Sequence, residues 1–140
     1  MSFLPEDDQD YLQAKGFAFE ERSERPPEGG GERRGILFPA FTFVGNLNTN
    51  IDGRLQPCSS CDLLVLIPSG YATTKLDSFY TSPRLKRADG ADPDRATGEA
   101  DLFGRKWQFW SRHLEDHEWR AGQDGLETFL NYIRAELRKA

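Results

Sequence analysis

Cysteine, histidine and methionine are scarce in these 140 residues, with two, two and one copies, and no long hydrophobic run occurs. Two cysteines are too few for a disulfide framework. No apolar stretch approaches the roughly 18 residues of a membrane helix. The opening MSFLPEDDQDYLQAKGFAFE has neither the basic start nor the apolar stretch of a signal peptide. The expectation is a cytoplasmic protein with reduced thiols and no membrane partner. Base is also in deficit: 18 Lys and Arg stand against 23 Asp and Glu, for a net charge of −5. That disfavours nucleic acid, which selects a Lys/Arg surplus.

What is present fits one domain, residues 1–140, with room for one real core. LPEDDQDYLQAKG reads as a first helix: Pro5 suits a first turn, Glu6, Asp7 and Asp8 favour the positive N-terminus, and Gly16 can cap the C-terminus. FAFEE reads as a brief strand. RSERPPEGGGERR reads as a solvated loop, because prolines and glycines punctuate a charge run. GILFPAFTF resumes a strand, with Pro39 marking an edge or bend. NLNTNIDGRLQP carries turn residues, and CDLLVLIP is the best candidate for a central strand, buried on both faces. KLDSFYTSP predicts a further strand ending at Pro83, and RLKRADGADPDRATGEAD a polar loop. The chain ends in DGLETFLNYIRAELRKA, which sets Leu126, Phe129, Leu130, Ile133 and Leu137 on one helical face. The predicted class is α+β: an N-terminal helix, an antiparallel meander of about four strands, a long irregular segment and a C-terminal helix.

In that order these elements resemble the ubiquitin-conjugating-enzyme fold, and most closely its prokaryotic family E, found beside bacterial ubiquitin-like proteins and activating enzymes. The likeness rests on LLVLIPSGY, where a buried strand ends in a Pro-x-x-Tyr turn at Pro68 and Tyr71, on DSFYTSP as the next strand, on Trp119, and on the final helix LETFLNYIRAEL. It implies an acyl transferase of a ubiquitin-like conjugation pathway. Its partners would be a ubiquitin-like protein and an activating enzyme, met through the first helix; no cofactor is implied, and related operons suggest antiviral defence. The family's reactive cysteine would precede the Trp by about eight residues. Here that position is Ser111, and no cysteine follows Cys61. The His-Pro-Asn motif expected upstream is replaced by TSPRLKR, which keeps only Pro83.

Both histidines and two of the three tryptophans fall in FWSRHLEDHEW, Phe109 to Trp119. A serine there can carry an acyl group as an oxyester if a general base lies within reach. His113, two residues on, shares a side with Ser111 in an extended segment, and imidazole titrates near pH ~6.5. Asp116 or Glu115 would orient the ring, and Arg112 or Arg105 would face developing negative charge. Two other readings stand beside this one. The segment can be a packed corner of polar residues between tryptophans, making the chain a non-catalytic adaptor that binds the modifier or the activating enzyme. Alternatively, Cys58-x-x-Cys61 with His113 and His117 supplies the ligand types of a tetrahedral zinc site in an interaction module. As plain structure, Cys58 sits in a turn and Cys61 opens a buried strand. Arg84 to Arg87 form a basic run that can meet an acidic partner or be solvated.

Overall fold

A computed structural model describes residues 2–27, 29, 31–71, 73–112 and 114–140, with Asp116 described by its backbone. The carbonyl of Pro5 accepts the N–H groups of Asp8 and Gln9, both at 3.1 Å, and starts helix α1 (Glu6–Ala14). Gly16, at φ +70°, ends it: its N–H donates to Gln13 and that of Phe17 to Leu12, a Schellman closure that needs a left-handed residue. Leu4 and Leu12 are buried and Tyr11 is half-buried, packed against the core.

Strand β1 (Glu20–Glu24) pairs antiparallel with β2 (Arg33–Thr42), from Glu20↔Leu37 to Glu24↔Arg33. The first strand therefore starts later than FAFEE suggests and takes in Arg22 to Glu24, which composition assigns to a loop. At a sheet edge the ladder needs only backbone partners and tolerates charged side chains. Phe17 and Phe19 pack against the core from outside the strand. Pro39 lies at a bulge in β2, where the register shifts between Phe38 and Phe41 and Ala40, at φ 51°, donates its N–H to Asp62 Oδ1 (3.0 Å). A residue without an N–H fits an interior strand only at such a break.

NLNTNIDGRLQP forms a separate hairpin, β3 (Asn48–Ile51) with β4 (Arg54–Pro57), around Asp52 and Gly53 at φ 52° and 78°. Two consecutive positive φ values match the twist of hairpin strands. Strand β5 (Ser60–Leu66) is central, between β2 and β6 (Phe79–Ser82). The next stretch departs most from expectation. Glu99 to Trp110 fall in a region predicted to be polar or irregular, yet β7 (Gly98–Leu102) and β8 (Arg105–Trp110) form a hairpin that extends the sheet to six strands in the order β1-β2-β5-β6-β8-β7.

Helix α2 (Leu126–Lys139) buries Leu126, Phe129, Leu130, Ile133 and Leu137, the face its periodicity predicts. These pack with Ile36, Phe38, Leu63, Val65, Phe79 and Trp110 into the main core. On the other face Leu37, Leu64, Leu102 and Trp107 form a smaller cluster. The sheet curls there, so that Phe103, in the β7–β8 turn, lies over Gly35 of β2 and donates its N–H to Glu24 Oε2 (3.2 Å).

Candidate functional site

The segment after β8 is fixed by its buried members. Trp110 is fully buried, stacks on Phe79 (5.3 Å between centroids) and donates Nε1–H to Thr81 Oγ1 (2.9 Å). Arg112 is 6% exposed, with its guanidinium 4.9 Å over the Trp110 ring. It donates from Nε and Nη2 to the Asp94 carbonyl (3.2 and 2.7 Å) and from Nη1 to the Glu136 carbonyl (3.2 Å). The last contact meets the negative end of α2. Leu114 is buried, and its carbonyl accepts Lys75 Nζ at 2.7 Å. Between Trp110 and Arg112, Ser111 is exposed, and its N–H donates to the Arg95 carbonyl (2.8 Å). The backbone is pinned and the hydroxyl faces water.

The segment continues through a short 3-10 turn, Asp116–Glu118, preceded by Glu115, whose N–H donates to Glu118 Oε1 (2.9 Å). Trp119 is buried and faces the Tyr71 ring at 6.4 Å. Asp124 accepts the N–H of Arg120 (2.6 Å), its guanidinium and the Thr128 hydroxyl, closing the approach to α2. The Arg120 guanidinium is the main reason its carboxyl is held down to about 2.

Asp8 of α1 completes the assembly. Its Oδ1 accepts the N–H of Leu126 (3.1 Å) and its Oδ2 the hydroxyl of Tyr71 (2.5 Å), so a carboxylate from the first helix caps the last one. Burial, with the bond to Asp8, pushes the Tyr71 phenol well above its usual range. Gly125 must be glycine for proximity: a Cβ there would sit 2.6 Å from Asp8 Oδ1 and 3.0 Å from the Tyr71 hydroxyl. Sequence reasoning assigned Asp8 to its own helix and missed this role; the Pro-x-x-Tyr motif was the one available pointer, through Tyr71.

Of the residues predicted from sequence, Ser111 and Arg112 are neighbours whose side chains differ in setting: one is exposed, the other engaged with backbone carbonyls. Asp116 opens the 3-10 turn, and His113 lies outside the described residues. Arg105 begins β8, at the far end of that strand from Ser111; it pairs with Asp62 (3.1 Å) and lies 4.4 Å over Trp107. Cys61 is buried, which pushes its thiol up, and the half-buried Cys58 donates its Sγ–H to the Ser60 carbonyl (3.0 Å). His117 is exposed, and among the described residues no group of three His, Cys, Asp or Glu is placed to hold a metal.

One relation could not be read from spacing. Ser82, just before Pro83, pairs with Asp62 near the start of β5, whereas Trp110 pairs with Phe79 at the other end of β6. The β7–β8 hairpin carries the chain back along the sheet, so Ser111 leaves from the end opposite Pro83.

The basic run after Pro83 is tied down internally. Arg84 (2.9 Å) and Lys86 (2.9 Å) both contact Asp92, and Arg84 Nη2 also reaches the Thr97 carbonyl (2.7 Å). The bond from Arg84, with help from Lys86, holds the Asp92 carboxyl down to about 2. A carboxyl depressed on folding stabilises above its unfolded value and loses that contribution as pH falls toward its folded value. Asp92→Asn should therefore cost about 1–2 kcal/mol at pH 7, after allowance for partial exposure, and the gap to wild type should close between about pH 4 and pH 2. Urea unfolding across that range checks it; an equal gap at every pH would rule out the ion pair as the source.

An α+β fold thus carries, between its sheet and its last helix, an anchored segment that leaves Ser111 exposed. The chain belongs to Prokaryotic E2 family E, whose model matches residues 4–140. Membership points to a role in bacterial ubiquitin-like conjugation, with a ubiquitin-like modifier and an activating enzyme as the general partners. No curated protein and no solved structure matches the chain. Among the described residues no helix is long and apolar enough to cross a membrane.

Proposed function

We propose that the protein carries the activated C-terminus of a ubiquitin-like modifier as an ester on Ser111 and passes it to an amine. The observation that carries this reading is the exposed hydroxyl held between two buried, anchored residues, Trp110 and Arg112, in a member of this family. The Ser111 oxygen adds to the carbonyl carbon of the activating enzyme's thioester. A C–O bond forms, the C–S bond breaks, the hydroxyl proton passes to the imidazole of His113, and the departing thiolate takes a proton from that imidazolium. Asp116 orients the imidazole. Arg112 acts by holding the segment through the Asp94 and Glu136 carbonyls.

Reconstitution with the activating enzyme, ATP and modifier should yield an adduct that hydroxylamine cleaves and dithiothreitol does not, and that is lost in Ser111→Ala. Absence of any adduct with wild type would overturn the enzymatic reading. A second reading, a non-catalytic adaptor, is favoured by one observation: Ser111 leaves the sheet from the end opposite Pro83. Stoichiometric binding of the modifier or the activating enzyme, unaffected by Ser111→Ala and with no covalent species, would establish it.

A further inference from the structure

Two cavities flank the place where α1 meets α2, and they share Tyr11 and Asn131 as a wall. The one beside the start of α2, about 550 Å³, carries Asp7, Asp8, Asp124 and Glu127 against Arg120. The other, about 610 Å³, lies between the end of α1, the β2 bulge and the middle of α2, and the charged side chains among its described lining residues are Lys15 and Arg134 alone. In a chain of net charge −5, a cavity with two cations and no acid among those residues selects an anion.

This second cavity also has a built wall. Phe38 and Phe41 are buried on either side of the bulge, and the Phe17 ring lies 6.0 Å from the first, edge-on, and 6.3 Å from the second, nearly parallel. The half-buried Arg134 sets its guanidinium 4.6 Å over the Phe41 ring and 5.4 Å over that of Phe17, and its Nε donates to the Thr42 carbonyl (3.2 Å). Rings and carbonyl fix the fork, yet among the described residues no acceptor meets Nη1 or Nη2. The Lys15 ammonium, the Tyr11 hydroxyl and the Asn131 amide likewise make no hydrogen bond to described residues. So α1 is bonded to α2 at its start, through Asp8 and Leu126, whereas at its end donors from both helices face one space. The strand beside them is a poor edge for another chain. Pro39 has no N–H, that of Ala40 goes to Asp62, and the Thr42 carbonyl is taken by Arg134. Recognition here falls to side chains, not to a backbone ladder.

We infer that this cavity binds a small aromatic carboxylate. The acid pairs with the open donors of Arg134 and with Lys15, and its ring lies against Phe17 and Phe41. A guanidinium already held in place loses little freedom in making charged hydrogen bonds. The aromatic wall favours a ring over a bare hydrated ion such as phosphate. A bound ligand joins the last turn of α1 to α2, the junction that lacks a side-chain bond of its own among the described residues.

The probe is phenylpropionate, titrated into the whole chain by calorimetry and followed by amide chemical shifts. One site per chain is expected, with shifts at Lys15, Phe17, Phe41 and Asn131 and slower amide exchange at the end of α1. Uncharged phenylpropanol and ring-free acetate should each bind at least about tenfold more weakly, as should phenylpropionate to Arg134→Gln. Because Arg134 also packs on core rings, Lys15→Met and Ala18→Trp serve as milder variants at exposed positions. The first removes only charge and the second fills the cavity, and both should weaken binding with the fold unchanged. No binding of phenylpropionate, equal binding of acetate or inorganic phosphate, or affinity unchanged in Arg134→Gln and Ala18→Trp would overturn the inference. Tighter binding of a peptide that ends in a phenylalanine carboxylate would overturn it too, by assigning the cavity to the terminus of a partner chain.

Discussion

Asp8→Ala is expected to lower the unfolding free energy by about 3 kcal/mol, a large fraction of what a domain of this size holds. Asp8 is 6% exposed and serves two donors from distant parts of the chain, the Leu126 N–H and the Tyr71 hydroxyl. Losing a helix cap costs about 1 kcal/mol by itself. Here the uncapped Leu126 N–H lies in a mostly buried setting and the Tyr71 hydroxyl loses its acceptor as well, at about 1–3 kcal/mol each where water cannot reach. Asp8→Asn keeps the shape and one acceptor oxygen and should lose about half as much. Tyr71→Phe removes its own donor and leaves Asp8 capping Leu126, so about 1 kcal/mol is expected. Urea unfolding with an unchanged m-value, in the order Asp8→Ala, Asp8→Asn, Tyr71→Phe, would establish the network. Hydrogen exchange should show the loss first at the start of α2. A large cost in Asp8→Ala beside none in Asp8→Asn and Tyr71→Phe would mean that Asp8 acts through bulk alone.

The parts of the fold that were legible are those whose burial has a period. Leu126, Phe129, Leu130, Ile133 and Leu137 announce α2 because a helix on a core repeats every 3.6 residues. The run through Leu63, Leu64 and Val65 announces β5 because a central strand is covered on both faces. Strand β7 was illegible because Gly98, Glu99, Ala100 and Asp101 offer only small and acidic side chains, and β8 because its core-facing alternation includes a glutamine. The Asp52-Gly53 turn was a hairpin sign, but Asn, Thr and Arg beside it hid the strands. In the candidate site, the distance to Trp119 singles out Ser111. The setting of Arg112 was not legible, since a cation held by two remote carbonyls has the same sequence appearance as one awaiting an anion. Asp8 and Leu126 lie 118 positions apart, beyond any local pattern.

Gln108→Leu is the other large effect expected, about 4 kcal/mol, although it enlarges no cavity and removes no apolar contact. Gln108 is 3% exposed, and its amide bonds in every direction it can. Oε1 accepts the Thr81 hydroxyl (2.9 Å) and the Leu85 N–H (2.8 Å), while Nε2 donates to the Leu85 and Ala96 carbonyls, both at 3.0 Å. Leucine fills much the same space and leaves the Leu85 N–H and two carbonyls buried without Gln108, each at about 1–3 kcal/mol before relaxation. Ala96 keeps a weaker contact from Arg84 (3.4 Å), and Thr81 still accepts Trp110, so the sum falls short of the full penalty. The damage should be local first: amides from Leu85 to Ala96 should exchange faster while those of β2 and β5 stay protected. Arg95, whose carbonyl fixes the Ser111 N–H, is the residue next to Ala96. Loosening that segment should therefore slow ester formation at temperatures where the core is intact. A variant with wild-type stability and exchange would show that water replaces the amide, and the buried glutamine would then lose its place in holding the acceptor segment.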